Sequence, residues 1–391
     1  MRFLIAPDSF KGTLSSLETC SIMAEGVATG YPGAQTRALP VADGGSGTMD
    51  ALLTTYGGEQ VDVTVTGPVG MNVTATYAVL PSGTAVVEMA SACGRHLVDE
   101  GVNPAKTTSA GLGELILHAA RRGCPRIIVG LGGSCSTDGG CGAAAACGAR
   151  FYDRYVEPFV PTGSTLASVE SVDADHMAPE LEGVQIQAIC AVSNPLCGMM
   201  GTSQVFGPGK GAMPTVVGEL DENLAHLGSV IRRDLGVDVL HLPCAGAGGG
   251  TGAAMAAFFG AVPQLGVDVI LDLSDFDRLL EDADVVLTGE GCFDAQSLHG
   301  KVIAGVARRA KAHGVPVVAV VGTMDETLVD AGRSLGVTHF APVNPSDLPL
   351  AQLTRRPRSR LERTVARVAA ALRAGEELPA YLEPPEGAPE P

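Results

Sequence analysis

Thr288-Gly-Glu-Gly-Cys-Phe-Asp-Ala-Gln-Ser-Leu-His-Gly-Lys301 lies between two segments of opposite character. Before it, Ala283-Asp-Val-Val-Leu287 is a short apolar run that reads as a buried parallel strand. After it, Val302-Ile-Ala-Gly-Val-Ala-Arg-Arg-Ala-Lys311 reads as a helix. The stretch is therefore a glycine-rich loop at the carboxyl end of a strand, where open α/β sheets place ligands. Glycine lets the backbone approach an anion, and a helix start offers free N–H groups. Glu290, Asp294, His299 and Lys301 on this loop mark a candidate site.

Working outward, five further segments read as buried strands. Arg2 to Ala6 leads into Pro7-Asp-Ser-Phe-Lys-Gly12, Thr36 to Val41 into Ala42-Asp-Gly-Gly-Ser-Gly-Thr48, and Arg126 to Leu131 into Gly132-Gly-Ser-Cys-Ser-Thr-Asp-Gly-Gly140. Pro316 to Val321 and Val337 to Ala341 complete the set. Helical stretches separate them, at Leu14 to Ala28, Ala110 to Arg122, Val302 to His313 and Thr327 to Leu335. Such alternation implies a doubly wound parallel sheet of the Rossmann or flavodoxin kind. Two regions break the rhythm: Gln60 to Met89 alternates apolar and polar residues as antiparallel hairpins do, and Phe151 to Leu273 is long and mixed. The expected division is a doubly wound α/β domain from 1–58, 96–150 and 274–375, and an inserted mixed α/β domain from 59–95 and 151–273. The active site is expected in the cleft between them. An Arg-rich amphipathic helix is expected from Thr354 to Ala374, followed by a disordered Pro/Glu-rich tail at 376–391.

With 391 residues, 46% of them hydrophobic, the chain is globular. A net charge of −17 argues against nucleic acid and anionic membrane surfaces. No signal peptide is legible at Met1-Arg-Phe-Leu-Ile-Ala6 and no run spans a bilayer, so a cytoplasmic protein, monomer or homodimer, is the expectation. Ten cysteines show no zinc spacing and read as reduced core residues. Lysine is confined to positions 11, 106, 210, 301 and 311; Lys11, Lys210 and Lys301 each adjoin a glycine, as phosphate ligands do.

Asp43, Asp138 and Asp294 lie among glycines, and Asp8 follows the first strand. Carboxylates converging at one sheet edge can hold Mg²⁺ and accept a hydroxyl proton. With lysines and glycine-rich N–H cradles, the parts match phosphoryl transfer. No G-x-x-x-x-G-K-[ST] motif occurs. Gly246-Ala-Gly-Gly-Gly-Thr-Gly-Ala253 contains a GxGxxA match, which leaves a dinucleotide-binding oxidoreductase as an alternative.

Taken in order, eight segments resemble the type I glycerate kinase family: Ala6 to Gly12, Val41 to Gly45, Val65-Thr-Gly-Pro68, Gly130 to Gly140, Asn194-Pro-Leu196, Phe206 to Ala212, Gly246 to Ala254 and Thr288 to Lys301. The resemblance implies two α/β domains, Mg²⁺, and ATP-dependent phosphorylation of D-glycerate, typically at O2. The catalytic expectations are Asp294 or Asp138 as base, with Lys11 and Lys301 against the transferred phosphoryl group. Asp8, Ser9, Asp43, Asn194, Lys210, Glu290 and His299 are expected to bind substrate. Gly132, Gly133, Ser134, Gly246, Gly248, Gly249 and Gly250 are expected to meet the nucleotide, and Asp43 and Asp138 the metal. Within these motifs the chain departs from the family. Ser46 replaces a Glu, Cys135 and Thr137 replace Ala and Asn, Ala191 replaces an Asp, and Cys292 replaces an Arg. Two readings follow: a kinase acting on glycerate or a modified relative, and a binding or regulatory protein without turnover on the same scaffold.

Overall fold

In the computed structural model, which describes residues 1–10, 12–345 and 356–384, the parallel strands fall into two sheets. In chain order the strands are β1 (Arg2–Ile5), β2 (Gln35–Ala38), β3 (Glu59–Thr66), β4 (Asn72–Val79), β5 (Thr84–Glu88), β6 (Arg126–Gly130), β7 (Arg150–Tyr152), β8 (Pro158–Phe159), β9 (Ser171–Asp173), β10 (Gln185–Cys190), β11 (Gln264–Leu265), β12 (Val285–Phe293), β13 (Val317–Met324) and β14 (His339–Pro342). The chain divides into two units: one of Met1–Asp43, Asp50–Thr55 and Val267 onward, the other of Gly44–Met49 and Tyr56–Gly266.

The first unit carries a fully parallel sheet in the order β14-β13-β12-β1-β2. Counting its strands along the chain, this is the 2-1-3-4-5 order of a flavodoxin-like doubly wound sheet. Side-chain alternation sends Val318 and Val320 to one face, with Phe3, Ile5 and Leu287, against the helices Ser16–Gly30 and Pro357–Ala374. Ala319 and Val321 go to the other face, with Phe293 and Phe340, against the helix Val302–Ala312. Both faces are covered at β1, β13 and the start of β12, which is why those runs are apolar, whereas the edge strand β2, expected to be buried, is Gln-Thr-Arg-Ala and exposed along its length. Gly26 and Gly30 let the first helix touch the last: a Cβ on Gly30 would lie 2.0 Å from the Ala366 carbonyl oxygen. β2 ends at Ala38, short of the expected Val41; Leu39 and Val41 still donate to Ile5 and Pro7, but Pro40 has no N–H to continue the ladder.

The tail is ordered further than its composition suggests. Phe340 N donates to Ala380 O and Leu382 N donates to Phe340 O, both at 2.8 Å, while Leu378 and Leu382 are buried. β14 is an edge strand with backbone groups to pair, and two leucines cover the apolar surface beside it. Residues 385–391 lie outside the described residues.

The second unit holds a mixed sheet in the order β11-β10-β6-β5-β4-β3, antiparallel at the expected β3–β4–β5 hairpins and parallel from β5 to β11. A small sheet, β8-β7-β9, supports the helix Pro214–Leu235 through Phe151, Val172, Leu224 and Leu227. This corrects the expected division: β6 pairs with β5 and β10, so residues 96–150 belong with the hairpins and not with β1. Ile127, Ile128 and Val129 are apolar on both faces, and such a strand fits either sheet by pattern alone.

Candidate active site

In the first unit the strand order reverses between β1 and β12, the position at which doubly wound sheets open a crevice. Asp8 follows β1, pinned by its N–H to Gly289 O at 2.8 Å, with its Oδ1 accepting from Ser9 N at 2.7 Å. β12 runs on through Phe293, so Glu290 and Cys292 stand on a strand, paired with Val321 and Thr323, and not on the loop the sequence suggests. Asp8, Ser9, Glu290, Cys292, Asp294 and Lys301 line a cavity of about 480 Å³.

Glu290 is 3% exposed. Burial pushes its carboxyl up to about 7; Lys301 and a hydrogen bond from Ser297 oppose this, while Asp43 and Asp294 add to it. Lys301 Nζ lies 3.8 Å from Glu290 Oε2 and 3.4 Å from both Asp294 Oδ1 and Ser297 Oγ. Among the described residues Glu290 Oε1 has no hydrogen-bond partner. Asp294 caps the short helix Ala295–Leu298: its Oδ1 accepts from Gln296 N at 2.9 Å and Ser297 N at 3.2 Å, and Ser297 Oγ accepts from Asp294 N at 3.0 Å.

The raised Glu290 carboxyl has a signed consequence. Between pH 4.5 and about 7 the folded group holds a proton that the unfolded group has released, so its contribution is full below pH 4.5 and is lost as pH rises through about 7. Glu290→Gln is expected to remove this dependence and to gain up to ~3 kcal/mol on the parent at pH 8 relative to pH 4. Urea unfolding of both proteins at the two pH values checks it; equal pH dependence contradicts it.

A second cluster occupies the second unit. Asp138 is fully buried, and burial pushes its carboxyl up. Its Oδ2 accepts from Ser109 N and Ser109 Oγ, both at 2.7 Å, and from Gly142 N at 3.2 Å; its Oδ1 accepts from Gly140 N at 3.1 Å. This carboxylate ties the turn after β6 to the start of the helix Ala110–Arg121. Lys210 Nζ donates to Ser134 Oγ at 2.9 Å and Ser136 O at 2.5 Å. Part of Lys210 reaches solvent, but its ammonium is enclosed, and burial pulls its pKa down to about 8.

The glycines expected to meet a nucleotide sit where these loops touch. A Cβ on Gly132 would lie 2.5 Å from Gly45 Cα, on Gly133 2.9 Å from Ser46 Oγ, and on Gly246 2.3 Å from Pro195 O. Gly248 approaches Leu131 O and Gly249 approaches Ser136 O, while Gly250 precedes the helix Thr251–Phe259. Loop packing is thus a sufficient structural reason for each of them. Residues 237–240 before this segment form no strand, so the dinucleotide fingerprint lacks its required context.

Asn194 braces the same region, its Nδ2 donating to Met200 O at 2.8 Å and its carbonyl accepting from Gly246 N at 3.1 Å. His299 is exposed and is not among the residues lining the first unit's cavity. Lys11 lies outside the described residues. At the expected Asp43–Asp138 metal pair both residues are buried, and Asp138 already accepts three hydrogen bonds on Oδ2 and one on Oδ1. Among the described residues no group of three His, Cys, Asp or Glu side chains is arranged to hold a metal ion. Sequence reading also passed over Ser109, Ser297 and Asn344. Asn344 lines the cavity, donates to Gly322 O at 3.0 Å and accepts from Arg360. Serine and asparagine carry no signal by spacing when their partners are distant in the chain.

Against this geometry stand the comparisons with known proteins. The profile of the glycerate kinase family matches residues 3–373. The chain is 38% identical over 375 residues to a glycerate kinase of Bacillus subtilis strain 168, covering 95% of this chain and 98% of the relative. It is 40% identical over 341 residues to glycerate 2-kinase of Escherichia coli K12, covering 87% and 88%. A solved structure assigned as glycerate kinase 2 from Salmonella typhimurium LT2 superposes with a TM-score of 0.81 at 40% identity, over 96% of this chain and 99% of that one. With the cavity at the sheet's reversal point and a match along nearly its whole length, the chain is an enzyme that belongs to the glycerate kinase family.

Proposed function

We propose that this protein transfers the γ-phosphoryl group of ATP to the O2 hydroxyl of D-glycerate, giving 2-phosphoglycerate and ADP. The observation that carries this reading is the pairing of buried Glu290 with Lys301 on the wall of a cavity of about 480 Å³, room for a three-carbon acid together with a phosphoryl group. Lys301 is placed to offset negative charge gathering on the transferred group. Lys11, next to Gly12, serves the same end, while Asp8 and Ser9 supply polar contacts to the acceptor. In the second unit, the loops at Gly132–Ser134 and Gly246–Gly250, stiffened by Lys210, meet the nucleotide. Mg²⁺ would shield phosphate charge when bound, a role that needs few protein ligands.

Cys292 favours a second reading. It is exposed on the cavity wall at the position of the family's Arg, so a carboxylate there loses a bidentate partner. On that reading the enzyme acts on a modified relative of glycerate that lacks a carboxylate at this point. Coupled ADP release over a panel of small hydroxy acids separates the two, and proton–phosphorus correlation NMR of the product identifies the phosphorylated oxygen. Turnover of D-glycerate to the 2-phosphate is the expected result. Stabilisation by nucleotide with no turnover on any acid would overturn it.

A further inference from the structure

We propose that Glu290, rather than Asp294 or Asp138, takes the proton of the acceptor hydroxyl, and that Asp294 is a positioning residue that holds Lys301 beside it; this rests on the kinase reading above. Three features of the site separate the carboxylates. Asp138 is closed off, with donors on both oxygens. Asp294 spends Oδ1 on two backbone N–H groups of its own turn and on Lys301. Of these three, Glu290 alone combines burial, a place on the cavity wall and an oxygen, Oε1, to which none of the described residues donates. Buried polar atoms are seldom left unpaired, and a substrate hydroxyl in the cavity is a donor of the right kind.

The groups around Glu290 suit the role. Lys301 stands at 3.8 Å from Oε2, near enough to favour the ionised form and too long for a direct hydrogen bond. Asp43 and Asp294 act on it in the opposite sense, and Asp8 shares the cavity. Lys301 is held in turn by Asp294 Oδ1 and Ser297 Oγ, both at 3.4 Å. In the step itself, the acceptor O–H proton passes to Glu290 Oε1 as the hydroxyl oxygen bonds to the γ-phosphorus of ATP. The bond from that phosphorus to the β,γ-bridging oxygen breaks, and ADP leaves with its electron pair. Glu290 then releases the proton to water.

The test is steady-state kinetics with D-glycerate and MgATP on the full chain. Glu290→Gln is expected to lower kcat by ~10²–10⁴-fold while thermal stabilisation by nucleotide is kept. Glu290→Ala is expected to regain roughly tenfold in kcat with added formate, a small carboxylate that fits the vacated space. Asp294→Ala should lose activity, and Asp294→Asn, which preserves the cap, should return to within about tenfold of the parent. A Glu290→Gln enzyme with near-parental kcat, an Asp294→Asn enzyme as poor as Glu290→Gln, or an Ala variant deaf to formate overturns the assignment and leaves the kinase reading standing. A parent with no turnover on any hydroxy acid overturns both.

Discussion

Phe340→Ala is expected to cost the first unit ~3–5 kcal/mol of unfolding free energy, the usual loss for a buried aromatic ring cut back to a methyl. Phe340 is fully buried, and its ring centroid lies 4.9 Å from that of Phe293 at a tilt of 55°. The site has little room to collapse around the loss, because Gly332 already lies against the ring: a Cβ there would come within 2.4 Å of Phe340 Cζ. The residue also joins three segments, since its backbone pairs with β13 on one side and with Ala380 and Leu382 on the other. Phe293 ends β12 three residues beyond Glu290, so a loosened ring pair is expected to lower kcat as well as stability. Urea unfolding followed by circular dichroism reads the stability term. Phe340→Leu, which keeps most of the volume, should lose less than half as much. A cost under ~1 kcal/mol for the alanine variant would show that the pair is not an anchor of this unit.

Gly249→Ala is expected to disrupt the loops around Lys210 and to cost at least ~2 kcal/mol. Two effects add. At φ +73 the position disfavours any residue with a Cβ, and that Cβ would lie 2.0 Å from Ser136 O and 2.9 Å from Lys210 Nζ. Gly260 separates the two, because it has φ +62 with nothing within 4 Å of its Cβ position. Gly260→Ala should therefore show the conformational penalty alone, ~1 kcal/mol. Thermal unfolding of both variants gives the difference. If the two are equal, the close approach of Gly249 to the Ser136 carbonyl does not constrain the loops.

The flavodoxin-like sheet is legible because β1, β13 and the start of β12 are apolar runs separated by helices, and the residues after β1 and within β12 do meet at one cavity. What the sequence does not carry is sheet membership. β6 has the same composition as β1 or β12, yet it pairs with β5 and β10, so Asp138 stands in the other unit. Nor does it carry orientation. Asp138 and Asp294 look alike as acids among glycines, but one is enclosed by Ser109, Gly140 and Gly142, and the other caps a turn. Glu290 looked like one ligand among several. Its distinction comes from Thr288 and Phe293 being buried on the same strand, which extends the sheet and takes the carboxyl inside with it. The tail was misread because Pro and Glu dominate its composition, whereas two buried leucines decide its placement.

The pairing of β1 imposes an order of events on the nascent chain. It lies between β2, which follows within forty residues, and β12, which begins at Val285. At ribosomal speed the interval between Ala38 and Val285 lasts roughly 12–50 s, long on the scale of helix or hairpin formation. Throughout that time one flank of an apolar strand has no neighbour, while all of the intervening unit can reach its native form. β1, made before the rest of its sheet, is thus among the last strands to be locked, and a molecular chaperone that shelters Phe3 to Ile5 would act early and release late.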